Sequence, residues 1–213
     1  NKGDDSFVGG NFTNKGDLDN EGLIYEKVDN IGNVDNSGTL HGDVNNHRSG
    51  TLENDANGSI DGKLNNLDEA ELDNSGYVHQ VNQEGGRIEN EGGGKIDTLG
   101  QIGGTTDNQG TIDQVALDDI DNYSGQVPTK GIDGVVGIIE YIDDNGHSQI
   151  AYYEDLDELL ADIENKAKNG SAKVVLYDDV NDKDIVITKP GVVIDLNGHT
   201  IAELSSITVD ENG

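Results

Sequence analysis

The chain has 213 residues, with 13 Lys+Arg against 43 Asp+Glu, a formal net charge of -30, and no Cys, Met or Trp. Zero Cys excludes disulfides, zinc–thiolate sites, iron–sulfur clusters and a thiol nucleophile. The acidity argues against nucleic acid or an anionic membrane as partner, since phosphate contacts need clustered Lys and Arg.

Only 32% of the residues are hydrophobic and 4% aromatic, a composition that taken alone borders on disorder. No apolar run approaches the ~18 residues of a membrane span, so no membrane insertion is expected. Beginning at Asn1 with neither Met nor a signal peptide, the chain reads as processed or as a piece of something longer.

From Phe7 onward the sequence repeats. Seven units closing on Gly align: 7–22, 23–38, 39–58, 59–76, 77–94, 95–110 and 111–125. An apolar residue stands second in each: Val8, Ile24, Leu40, Ile60, Val78, Ile96 and Ile112. Another follows three or four later: Phe12, Val28, Val44, Leu64, Val81, Leu99 and Val115. A third precedes an acid–Asn pair in six units, at Leu18, Val34, Leu52, Leu72, Ile88 and Ile120, whereas the 95–110 unit has Thr106 there. One such unit cannot bury its own apolar side chains, but copies stacked as successive turns form a continuous apolar column. Apolar residues separated by single polar ones suit very short strands. Gly at each corner is expected to supply positive φ, and the frequency of Gly and Asn argues against helix. The expected fold is mainly β: over residues 1–126, a parallel β-solenoid of about seven short coils.

Asn20, Asn36, Asn54, Asn74, Asn90, Asn108 and Asn122 share one position of the repeat and are expected to bond from coil to coil as an amide ladder. The preceding residue is always acidic: Asp19, Asp35, Glu53, Asp73, Glu89, Asp107 and Asp121. Alternation points these outward at a coil spacing of ~4.8 Å, where neighbouring carboxylates repel by about 1 kcal/mol in water. Two readings stay open. The stripe is a solvated face that keeps the protein soluble, or it holds calcium or a cationic ligand. The second would make these seven acids the candidate metal residues and Ca2+ the one candidate cofactor. The calcium-binding nonapeptide GGxGxDxUx is absent.

Beyond Pro128 the texture changes. Residues 127–213 read as a small α+β segment of hairpin, helix and strands. Asn145-Gly146 marks the hairpin turn. EDLDELLADIENKAKNG is the one clear helix, with Leu156, Leu159, Leu160 and Ile163 as its apolar face and Gly170 as its stop. Short strands follow in AKVVLYDDV, DIVIT and GVVIDLNGHTIAEL.

The run KVVLYDDVNDKDIVITKPGVVIDLNGHTI, and within it Asp195-Leu196-Asn197-Gly198-His199-Thr200-Ile201, resembles the opening of pectate-lyase-like right-handed parallel β-helix domains in large bacterial surface proteins. The resemblance covers roughly residues 135–213. It implies that the helix borders a second β-helix whose further rungs lie beyond Gly213. The N-terminal units resemble the Asn/Gly repeats of bacterial β-solenoid adhesins.

No catalytic constellation accompanies these repeats. Lyases of this kind need basic residues beside a uronate, and Arg48 and Arg87, the two arginines, stand at different repeat positions. Gly198-His199-Thr200 is not the Gly-His-Gly of polygalacturonases, and His199 reads as a turn residue. His41, His47, His79 and His147 show no common register and no HxxxH spacing. No GxSxG or phosphate-cradling GxxxxGK[ST] occurs, and YDDVNDKD (177–184) lacks the Gly and terminal Glu of an EF-hand loop.

The expected function is therefore a non-catalytic, extracellular structural or adhesive module of a bacterial cell-surface protein. It would act as a stalk or present an acidic repetitive face to a host or environmental glycan or protein. One alternative is the N-terminal part of a polysaccharide lyase or hydrolase with its catalytic rungs beyond residue 213. The other is a self-assembling filament subunit that binds neighbouring copies of itself.

Overall fold

The computed structural model describes residues 7–118, 120–181, 185–203 and 207–209. The chain divides into two compact units, 1–133 and 134–213.

The first unit is a parallel β-solenoid. Its first sheet stacks the strands Phe7–Val8, Leu23–Ile24, Thr39–Leu40, Ser59–Asn66, Tyr77–Gln83, Lys95–Gln101 and Thr111–Leu117, with Phe12–Asn14, Val28–Asn30 and Val44–Asn46 as a second short segment of the early coils. The second sheet stacks Asp17–Asn20, Asn33–Asn36, Thr51–Asn54, Glu71–Asn74, Arg87–Asn90, Thr105–Asn108 and Tyr123–Gly125. Every pairing within these two sheets is parallel, with repeat positions matched: Leu40 faces Ile60, Ile60 faces Val78, and Val78 faces Ile96.

Three apolar columns follow from that register. Ile24, Leu40, Ile60, Val78, Ile96 and Ile112 are all essentially inaccessible, as are Val28, Val44, Leu64, Val81, Leu99 and Val115. Val34, Leu52, Leu72 and Ile88 build the third. The side chains of Val8 and Phe12 lie outside the described residues. Burial of each branched side chain is worth roughly 1.5–3 kcal/mol, and only the neighbouring coils supply the cover.

The closing glycines are explained by space rather than by φ. Gly38, Gly58, Gly76, Gly94 and Gly110 are not among the positive-φ residues, against the expectation that each corner needs a left-handed residue. A Cβ on Gly38 would instead collide with the carbonyl oxygen of Gly22 one coil back, and a Cβ on Gly58 with that of Asn36.

Turns of solenoid number about ten over the chain, against the seven expected for its first part. The winding runs on past Gly125, where Ile132 bridges Val115 in parallel and the Thr129 amide donates to the Ile112 carbonyl at 2.9 Å. It also resumes in the second unit. There Ala172–Leu176 pairs in parallel with Val192–Asp195, Val180–Asn181 with Ile201–Ala202, and Ile185–Ile187 with Ile207–Val209.

The second unit opens with the expected antiparallel hairpin, Gly137–Ile142 with Ser148–Tyr153, turned at Gly146 (φ 82°). Gly137–Ile142 also pairs antiparallel with Ala172–Leu176. The helix Leu156–Lys166 is capped by Asp155, whose carboxylate accepts from the amides of Asp157 at 2.8 Å and Glu158 at 3.0 Å. Its Leu159 and Ile163 pack on Ile139, Ala172, Val174 and Leu176, with Leu156 and Leu160 at the margin. Among the described residues no helix is long and apolar enough to cross a membrane.

Candidate functional site

The Asn repeat forms a buried amide ladder. Asn20 Nδ2 donates to Asn36 Oδ1 at 2.7 Å, Asn36 to Asn54 at 2.8 Å, Asn54 to Asn74 at 2.8 Å, Asn74 to Asn90 at 2.8 Å and Asn90 to Asn108 at 2.7 Å. The second hydrogen of these amides is used as well, for example by Asn54 toward the Tyr77 carbonyl at 3.2 Å.

The ladder ends differently from the sequence expectation. Asn122 and Ile120 belong to a short 3-10 turn, Ile120–Asn122, and Asp121 stands in that turn rather than in the acidic row. In register with Thr106, Asp107 and Asn108 are Tyr123, Ser124 and Gly125. Gly125 itself occupies the Asn position (φ 96°), so an alignment anchored on it as a closing Gly is displaced by three residues. Asn108 Nδ2 donates to Tyr123 Oη at 2.9 Å, and that hydroxyl donates to the Gln126 carbonyl at 2.7 Å, which caps the ladder.

A second buried ladder went unread in the sequence: Asn14, Asn30, Asn46, Asn66 and Gln83, with donor–acceptor distances of 2.8–2.9 Å. Its signal was present, because an amide stands two residues after the second apolar residue in six of the seven units, Leu117 taking that place in the last. Gln101 continues the position but not the bonding, and Gln83 Nε2 is buried without a partner.

The acids face outward as expected. Asp19, Asp35, Glu53, Asp73, Glu89 and Asp107 occupy one register row of the second sheet. The side chain of Asp121 lies outside the described residues. Burial, then the charges of Asp35 and Asp55, push the Glu53 carboxyl up. Burial, then Glu89, push Asp73 up against the opposing pull of Arg87. Beside this row, Asn33 donates to Asp17 Oδ1 at 2.8 Å and Thr51 to Asn33 Oδ1 at 2.9 Å. The acids form a line rather than a cage: among the described residues no three of His, Cys, Asp or Glu converge as metal ligands.

At another corner the structure brings together residues that the sequence left apart. His41 and His79 each follow the first apolar residue of their unit, so they do share a register, with Asp61 between them and Asp97 beyond. Tyr25 stacks on His41 with ring centroids 4.9 Å apart, and His41 Nδ1 lies 2.7 Å from Asp61. Asp97 receives Tyr77 Oη at 2.5 Å, His79 Nδ1 at 3.1 Å and Lys95 Nζ at 2.9 Å. Burial pushes the Asp97 carboxyl up, but the hydrogen bonds from Tyr77, Lys95 and His79 outweigh it and hold the group at about 2. The same bond to Asp97 pushes the Tyr77 hydroxyl up to about 12. A carboxylate so firmly ionised is a poor general acid or base near neutral pH and acts here as a tie between coils.

In the second unit, Asp195-Leu196-Asn197-Gly198 forms a tight turn. Asn197 (φ 49°) and Gly198 (φ 86°) are both left-handed, and Asp195 Oδ1 accepts from the Asn197 amide at 3.0 Å. Asp179 accepts from the amide and hydroxyl of Thr200 at 2.7 and 3.0 Å, which joins the VLYDDV strand to this turn. His199 sits in the turn, its amide donating to the Leu196 carbonyl at 2.8 Å.

No protein-family model, curated protein or solved structure matches this chain.

Proposed function

We propose that the chain is a non-catalytic structural or adhesive module of a bacterial cell-surface protein, a rigid spacer that holds out a repetitive, acidic face. The observation that carries this reading is the pair of buried amide ladders, which tie consecutive coils to one another in a fixed register. Inward amides bonded to adjacent coils favour one stacking and penalise slippage, because a displaced amide loses those partners while it stays buried. The extracellular bacterial setting is drawn from the resemblance of the segment around Asp195–Ile201 to pectate-lyase-like surface domains. The two-coil parallel pairing of that segment is compatible with it.

Two measurements test the proposal. Small-angle scattering of the first unit is expected to fit an extended rod without bending, and incubation with pectin or alginate is expected to yield no cleavage products. A flexible chain in scattering would overturn the spacer, and turnover abolished by one point substitution would overturn the non-catalytic reading.

A further inference from the structure

The outward face of the first sheet carries an amide row of its own. Asp29, Asn45, Asn65 and Asn82 share one register position. Asn45 donates to Asp29 at 2.8 Å, Asn65 to Asn45 at 2.8 Å and Asn82 to Asn65 at 3.2 Å. The next two residues in that register are Gly100 and Ala116. There the row drops away and leaves a shallow groove of about 470 Å3, with Gln80, Asn82, Thr98, Gly100, Gln114 and Ala116 in its lining.

Gly100 is not required by the fold. It lies inside the strand Lys95–Gln101 and has no positive φ. A Cβ there would meet only Asn82 Oδ1, at an ordinary 3.9 Å. The corner glycines, by contrast, would collide with the preceding coil. Glycine weakens a strand interior, and where neither crowding nor φ demands it, it marks the close approach of something else.

We propose that this groove binds a neutral oligosaccharide. The proposal rests on the spacer reading above and names what the spacer presents to. Gln80, Asn82, Thr98 and Gln114 are uncharged groups that can both donate and accept, and His79 and Asp133 complete the polar lining, Asp133 accepting from Gln114 at 3.2 Å; such a set matches the adjacent hydroxyls of a pyranose. The net charge of -30 disfavours an anionic glycan. A peptide strand cannot add by its backbone here, because Lys95–Gln101 is paired on both sides, by Tyr77–Gln83 and Thr111–Leu117. The bare floor at Gly100 and the Ala116 methyl give a flat seat for the apolar face of a sugar ring.

The test is calorimetric titration of the full chain with cellohexaose, maltohexaose and mannohexaose, with trigalacturonate as the anionic control. At least one neutral hexasaccharide is expected to bind with Kd below about 1 mM, and trigalacturonate is not. Gly100→Asn, which continues the amide row and fills the groove, is expected to weaken binding at least tenfold while the melting temperature stays level or rises. No binding by any hexasaccharide, binding by trigalacturonate alone, or binding indifferent to G100N overturns the proposal. So does a change in sedimentation on G100N without saccharide binding, which would assign the groove to a second copy of the chain. A rod-like chain that binds none of the sugars refutes only the groove, whereas flexibility in scattering refutes the spacer itself.

Discussion

Thr106 Oγ1 donates a 2.7 Å hydrogen bond to Gln101 Oε1 within a single coil. Elsewhere in this ladder an amide oxygen accepts from the coil before it. Here the oxygen is taken by its own coil, and Gln83 Nε2 is left buried without an acceptor. The polar Thr106, standing where the preceding units have Leu, Val or Ile, thus interrupts the ladder at the 83/101 step.

Thr106→Val should therefore cost less than a buried hydrogen bond normally does. Removing the hydroxyl frees Gln101 Oε1 to accept from Gln83, so one bond replaces another. Chemical denaturation is expected to place T106V within about 1 kcal/mol of the parent. Leu72→Thr, which puts an unplanned hydroxyl into an intact column, is expected to lose about 1–3 kcal/mol. A T106V loss as large as that of L72T would show that the fault is not relieved.

Asn74→Ala and Asn45→Ala separate the buried ladder from the outward row. Asn74 is inaccessible, and its loss strands the Asn54 donor and the Asn90 acceptor. Each stranded group is expected to cost about 1–3 kcal/mol. Asn45 is half-exposed and water can replace its bonds, so its loss is expected to stay within about 0.5 kcal/mol. Equal losses in urea unfolding would deny the buried ladder its role.

Stability should pass through a maximum as pH falls. Glu53 and Asp73 are raised in the folded chain, chiefly by burial and then by neighbouring acids. A carboxyl with a higher folded than unfolded pKa binds its proton more tightly when folded. Stability is therefore gained as pH drops through its folded value, and the gain is complete below the unfolded one. Asp97 runs the other way. Held at about 2, it contributes stability above its unfolded value, and that contribution is lost as pH falls toward 2. Melting temperature should rise from neutral pH into the carboxylate range and then fall. Added salt at pH 7 should reproduce part of the rise by screening the row. A steady decline from pH 7 would show that the acids do not couple.

Tyr123→Phe removes the hydroxyl that takes the Asn108 amide and passes a proton bond to Gln126. Amide exchange in Thr105–Asn108 and Tyr123–Gly125 is expected to quicken about tenfold, corresponding to about 1.4 kcal/mol. Exchange in Asn33–Asn36 is expected not to change. Acceleration throughout the solenoid would mean that the cap governs global rather than local opening.

Much of the solenoid was legible because its signals are local and recur. Ile24, Leu40 and Ile60 recur at one place in each unit, and period-two alternation sends Asp35 and Glu53 outward while Val34, Leu52 and the Asn residues turn in. The last coil was misplaced because Gly125 looks like a closing glycine yet stands in the ladder. The second ladder was missed because its amide changes from Asn66 to Gln83, and because Asn30 or Asn46 taken singly resembles a turn residue. The pairing of His41 with Asp61 and the hollow over Gly100 could not be read along the chain. Both depend on which residues lie one coil apart, and unit length varies from 15 to 20 residues. The hollow moreover consists of side chains that are not there.

The two buried ladders also have a direction. From Asn14 to Gln83 and from Asn20 to Asn108, every inter-coil amide bond is given by the earlier coil and received by the later. The outward row from Asn82 back to Asp29 points the opposite way. Aligned amide dipoles polarise one another, so the rod carries an axial vector in its interior and a counter-vector on its skin. Both ends of the longer ladder are already engaged, Asn20 Oδ1 by the Gly22 amide at 3.3 Å and Asn108 Nδ2 by Tyr123 Oη at 2.9 Å. A coil that reversed its sense within the stack would set donor against donor on one side and acceptor against acceptor on the other, so the ladders admit only coils that run the same way.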